Sequence, residues 1–216
     1  MRHHPHHADD DPEVVRRLVR DHPWALLVSH TDDGLVASHY PFLLAEESLE
    51  PGSPLVLVTH VGRPDDRLHG LGQGREAMVV VQGNHGYVSP SWYAPGASRA
   101  PTWNFSATHL HGVPEILDDA QNLATLTRLV HHFEQHVESP LELDPEWAQR
   151  PMRGTVGLRI PITRFVTKIK LSQDKDPQSV QNVIDHLRAP GPYHHPTLAD
   201  EMEQERAETT ARSQRS

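Results

Sequence analysis

Between residues 24 and 83 short apolar runs alternate with turn signals, and this rhythm restricts the fold more than any other feature of the chain. The run "WALLVSH" reads as a strand, "TDDG" as a turn and "LVASHYPFLL" as the returning partner. "EPGSP" then turns the chain into "LVLVTH". A loop with one short helical turn, "VGRPDDRLHGLGQG", leads to another buried strand, "EAMVVVQG". Residues 102–117 read as a long strand broken near Gly112 and Pro114, and "GTVGLRIPITRFVTKIKLS" as a strand pair or one bent strand. Turn signals at intervals of about eight to twelve residues predict a small antiparallel barrel with helices packed outside, a mainly β chain of the α+β class. The strand–helix alternation of a doubly wound sheet is missing. So are GxGxxG and GxxxxGKS/T loops, which removes the usual dinucleotide and nucleoside-triphosphate readings.

Helices are expected at the flanks. "DDDPEVVRRLVRDHP" opens on acids and Pro12, carries Val14, Val15, Leu18 and Val19 on one side, and stops at Pro23. "DDAQNLATLTRLVHHFEQHV" has Leu123, Leu126, Val130, Phe133 and Val137 at spacings of three and four, behind an Asp118/Asp119 cap. "PQSVQNVIDHL" is a final helix, followed by a polar tail with room for one helical stretch. The expected organisation is a disordered His-rich end over residues 1–10, one domain over 11–190, and a polar tail over 191–216.

Composition narrows the chemistry. The 216 residues contain no Cys, which excludes disulfides, thiolate-held metal or haem, and cysteine nucleophiles, and fits a reducing compartment. No apolar run is long enough to span a membrane, and "MRHHPHHADDDPE" lacks the apolar core of a secretory signal, so the expected location is the cytoplasm. A formal net charge of −9 argues against a general nucleic-acid binder. The "HHPHH" cluster reads as an incidental metal binder rather than a metal site.

Four stretches carry candidate chemistry. "YVSPSWYAPGASRAPTWNF", residues 87–105, mixes aromatic rings with hydroxyls and an amide, so it could stack on a planar ligand and bond its polar edge, or form a dimer contact. In "THVGRPDDR", His60 and Arg63 could deliver a cationic pocket for an anion; the plainer reading pairs Arg63 with Asp65 and Asp66 at a helical turn. His109 and His111 share a strand face, where neutral, hydrogen-bonded imidazoles are the simpler reading than a metal site. Lys168 and Lys170, followed by Ser172 and Gln173, could meet a phosphate or be an ordinary edge-strand alternation. No nucleophile elbow is present.

Taken in order, "SHYPFLL", "THVGRPD", "GYVSPSWY", "APTWNF", "THLHG" and "KLSQDK" resemble the PaiB-like proteins, a family of FMN-binding split-barrel proteins also labelled negative transcriptional regulators. The resemblance covers roughly residues 8–190 and implies a homodimeric split β-barrel with FMN at the subunit interface. It implies cofactor contacts from His39, His60, Arg63, Ser91, Trp92, Thr102, Trp103, Asn104, Lys170, Ser172 and Gln173. The activity implied is a small-molecule oxidoreductase or a regulator, with DNA disfavoured by the charge. Where the family shows H-V-A-R-x-N-P, this chain has His60-Val61-Gly62-Arg63-Pro64-Asp65-Asp66, which sets a negative charge near the expected phosphate. "APTWNF" is also similar to the piperazate synthase branch, which uses haem b to form an N–N bond in N5-hydroxyornithine; that likeness implies His60 as the haem-iron ligand.

Overall fold

The structure is a computed structural model describing residues 1–215, apart from residues 2, 3, 5, 97–99, 142, 143 and 145–151. His3 and Pro5 of the His-rich cluster therefore lie outside the described residues. The strands are β1 (Ala8–Asp9), β2 (Trp24–Thr31), β3 (Gly34–Pro41), β4 (Leu43–Leu44), β5 (Val56–Gly62), β6 (Ala77–Val88), β7 (Thr102–Gly112), β8 (Glu115–Ile116) and β9 (Thr155–Lys170). The helices are α1 (Pro12–Asp21), α2 (Asp65–Leu68), α3 (Asp119–Glu134), α4 (Pro177–Arg188) and α5 (Pro196–Arg215). Strands neighbour one another in the order β3-β2-β6-β7-β9-β5-β4, with β1 and β8 also pairing with β9. The chain divides into two compact units, and β6, β7 and β9 contribute residues to both.

The larger unit holds residues 10–81 and 108–166. Asp11 caps α1 by accepting from the Glu13 N–H, and Pro12 sits where a helix has no use for an amide donor. The apolar side of α1, with Val15, Leu18 and Val19, is buried. β2 and β3 form the expected hairpin, with Thr31 opposite Gly34, whose φ of +114° suits a residue without a Cβ. β5 is buried almost continuously and pairs antiparallel with β9, placing His60 opposite Gly157.

α3 begins where expected, with a reciprocal capping box between Asp118 and Gln121. Its buried face is not the expected one. Asn122, Thr125, Leu126 and Leu129 point inward, while Phe133 and Val137 are 43% and 49% exposed. The spacing is the same, but the phase is rotated toward Asn122. The reason lies in the sheet: a Cβ on Gly157 would stand 3.0 Å from the Asn122 Cα, so only glycine lets the helix approach this closely.

The second unit holds residues 1–9, 82–107 and 167–216. The N-terminal segment, expected to lie free, pairs with the sheet: Ala8 stands opposite Lys168, and the Ile169 N–H donates to the His7 carbonyl at 2.8 Å. An open strand edge recruits whatever extended chain can satisfy its backbone groups. α4 starts on Pro177 behind an Asp176 cap and buries Val180, Val183, Ile184 and Leu187. The polar tail contains α5, which packs on α4 through the buried Leu198, Ala199 and Met202. Arg188 of α4 adds ion pairs to Asp200 and Glu203 at 2.6 and 2.9 Å. No helix among the described residues is long and apolar enough to cross a membrane.

Candidate cofactor site

In the second unit, strand alternation puts Thr102 and Asn104 on one face of β7 and Trp103, 53% exposed, on the other. The last residue of β9 reaches this face: the Lys170 ammonium donates to Thr102 Oγ1, and to the Trp103 carbonyl at 2.9 Å. Just beyond the strand, Ser172 takes a left-handed backbone conformation with φ 65°. That turn aims its hydroxyl at Asn104, whose Nδ2 donates to Ser172 Oγ at 2.9 Å while Ser172 donates to Oδ1 at 3.1 Å. Both residues are buried. Asn104 Nδ2 also donates to Met202 Sδ of α5 at 3.4 Å, so the C-terminal helix supports the site from behind.

Thr102, Asn104, Lys170 and Ser172 line a pocket of about 160 Å³ with Tyr93, Asp174 and Lys175. Burial pulls the Lys170 ammonium below its usual range and pushes the Tyr93 phenol up. Lys175 pairs with Asp174 at 2.8 Å and lies 5.9 Å from the Tyr93 ring centre. A partly desolvated ammonium, two hydroxyls and a carboxamide, with the Lys175 charge offset by the Asp174 carboxylate in the same lining, give the pocket donors for an anionic group such as a phosphate.

Five of the expected site residues, Thr102, Trp103, Asn104, Lys170 and Ser172, are thus joined directly by hydrogen bonds. Gln173 stands beside them with its amide engaged in the turn, donating to the Ile169 carbonyl and accepting from the Leu171 N–H, both at 2.7 Å. Ser91 shares a hydrogen bond with Ser89 at 2.7 Å. Trp92 stacks on His186 with ring centres 5.0 Å apart and meets Tyr193 edge-on at 5.6 Å. Tyr87 lies between Trp103 and Tyr193, 6.3 and 5.5 Å from their rings. Tyr193 and His186 were not among the expected residues, because no local pattern in the tail links them to Trp92.

His39, His60 and Arg63 belong to the larger unit. His39 is exposed and stacks on Trp24, ring centres 6.1 Å apart. Arg63 pairs with Asp66 at 3.1 Å at the start of α2, which is the plainer of its two expected roles. Asp65, the departure from the family pattern, accepts a 2.5 Å hydrogen bond from the Tyr40 hydroxyl. Burial, followed by that hydrogen bond, pushes the Tyr40 phenol up to about 12. His60 lies within β5, its Nδ1 buried without a hydrogen-bond partner, and burial lowers its pKa. The imidazole is therefore neutral near pH 7. His69 was not expected at all. It is 3% exposed, with Nδ1 and Nε2 each 2.9 Å from a serine hydroxyl, of Ser29 and Ser38. His109 and His111 are held below the ordinary imidazole range by burial, and among the described residues no group of three or more potential ligands stands together to hold a metal ion.

Several known proteins resemble the chain. A FAD and haem binding protein from Mycobacterium smegmatis superposes with a TM-score of 0.61 at 19% identity, covering 81% of this chain and 78% of that one. The flavocytochrome Anf3 from Azotobacter vinelandii gives 0.56 at 16% identity, over 81% and 74% of the two chains. At such identities the likeness is one of fold: mainly antiparallel sheet with flanking helices, of the split-barrel class expected from the sequence. The "Protease synthase and sporulation protein PAI 2" of Bacillus subtilis is 29% identical over 179 residues, 82% of this chain and 84% of its own length, in keeping with the PaiB-like motifs. The family model described as "Putative FMN-binding domain" matches residues 1–164, and the chain belongs to that family.

Proposed function

We propose that this chain binds FMN and that Lys170, Thr102, Asn104 and Ser172 receive its phosphate end. The observation that carries this reading is the Lys170 ammonium, partly withdrawn from water and aimed with Thr102 into a pocket shared with Lys175. An anion entering that pocket meets charge-assisted donors. Bound FMN would supply one- or two-electron redox chemistry, and the chain would supply binding, orientation and electrostatics. The function proposed is thus a flavin-dependent oxidoreductase acting on a small molecule. Two copies are proposed to associate, in support of which Trp103 and Tyr193 leave large aromatic surfaces exposed. Titration with FMN and with riboflavin, followed by flavin fluorescence, tests the site. FMN binding much tighter than riboflavin is the expected result; equal affinities would remove the phosphate assignment, and no binding would remove the function. Sedimentation of the loaded chain tests the dimer.

A second reading is favoured by one observation, a His60 imidazole that burial keeps neutral near pH 7 and that pairs with no carboxylate among the described residues. That group suits a haem iron, as in the N–N bond-forming piperazate synthases, for which N5-hydroxyornithine is the substrate to test. Haem uptake followed by its Soret band, lost in His60→Ala while flavin binding persists, is the outcome this reading requires. A regulator acting through DNA has little support, given the net charge of −9.

A further inference from the structure

The ladder between β5 and β9 sets His60 directly opposite Gly157. Residues so paired carry their side chains on the same face of the sheet, with Cβ positions about 4.5–5.5 Å apart. On that face stands Asn122 of α3: a Cβ on Gly157 would lie 2.7 Å from Asn122 Oδ1. Asn122 is 4% exposed. Its Oδ1 and the His60 Nδ1 are both buried, and neither has a hydrogen-bond partner. A buried unsatisfied oxygen beside Gly157 and a buried unsatisfied nitrogen on the residue paired with that glycine are each costly unless something joins them.

The direction of the hydrogen bonds around Asn122 says which atom must be the donor. The Thr155 hydroxyl donates to the Met152 carbonyl at 3.2 Å, which uses its one proton. Toward Asn122 it can then only accept, and it does so from Nδ2 at 3.4 Å. The amide nitrogen is thereby fixed on the Thr155 side and the oxygen is left facing the interior. A carboxamide oxygen can only accept. Any group that satisfies this oxygen must therefore bring a proton.

We propose that Asn122 is a positioning residue for His60, accepting from its Nδ1–H through one buried water and so holding the imidazole in the tautomer whose lone pair is on Nε2. This deepens the reading of His60 as a ligand-facing group. Nε2 becomes the nitrogen that can bind a metal or accept a proton from a bound molecule, while Nδ1 serves as its anchor. The relay Met152–Thr155–Asn122–His60 thus runs from the Met152 carbonyl, through the first residue of β9 and the first turn of α3, to the β5 imidazole.

The test is imidazole nitrogen NMR on the cofactor-free chain, on the alkaline side of the His60 titration, so it is independent of whether FMN or haem binds. The expected spectrum has a pyrrole-type Nδ1 and a pyridine-type Nε2. Asn122→Ala should lose that preference and move His60 to the tautomer with the proton on Nε2, while Asn122→Asp, which keeps an acceptor, should restore it. Thr155→Val frees the amide to turn over and should weaken the preference without touching either atom of the pair. A wild-type chain with its proton on Nε2, or a His60 spectrum unchanged in Asn122→Ala, overturns the proposal.

Discussion

The Lys170 ammonium and the Trp103 carbonyl, 2.9 Å apart, tie the end of β9 to the start of β7. The same ammonium reaches Thr102, so one cation is anchored by a neighbouring strand and still faces the pocket. Lys170→Met keeps the side-chain stem and removes the charge. Hydrogen bonds to charged groups are worth about 1.5–3 kcal/mol, so FMN affinity should fall about ten- to a hundredfold. Riboflavin, which lacks the phosphate, should bind the variant as it binds the parent. Parallel fluorescence titrations check both halves.

Acid should destabilise the fold through its buried histidines. Burial is the leading cause that holds His7, His60, His69, His109, His111 and His132 below the ordinary value of 6.5. Between those lowered values and 6.5 the unfolded chain binds more protons than the folded one, so stability falls as pH drops through that window and levels off beneath it. His69 contributes through two hydroxyl partners in a buried setting. The thermal midpoint measured across about pH 5 to 8 should decline on the acid side, and His69→Gln should flatten the curve while lowering its plateau.

Arg16 is the most demanding polar residue of the larger unit. Its guanidinium is fully buried, donating to the Ser48 and Ser53 carbonyls and pairing with Glu13 at 3.0 Å. Arg16→Met fills much of the space but leaves two carbonyl acceptors without a donor. The expected cost is about 3 kcal/mol, read as a lower urea midpoint with unchanged slope.

α5 should be part of the fold rather than an appendage. Leu198 is fully buried, and a Cβ on Gly86 would meet it at 2.7 Å, so the helix seats against β6 where a side chain is missing. Leu198→Ala should cost about 3 kcal/mol. Glu208→Ala, farther along the same helix, should cost less than about 0.5 kcal/mol. Thermal unfolding of the two variants checks the contrast.

Much of this architecture was legible along the chain. The strand rhythm from Trp24 onward, the acids and Pro12 that open α1, the Asp118 cap and the breaks near Gly112 are local signals, set by side-chain period, proline geometry and turn chemistry, which need no distant partner. The site was legible in part. Lys170, Ser172, Thr102 and Asn104 stood out by motif, and the i,i+3 spacing already offered Arg63 to Asp66, but no motif says that Gln173 closes its own turn. His69 carried no signal because its partners, Ser29 and Ser38, are remote in sequence.

What the sequence alone determined, then, is the class of element each segment forms and the family to which the motifs point. The tertiary structure decided the phase of α3, which turns Asn122 inward because Gly157 leaves room for it. It also decided the seating of α5 and the meeting of Lys170 with Thr102. Local propensity sets how often an apolar or polar residue recurs, while the side that is buried depends on which distant residue is small enough, or polar enough, to receive it.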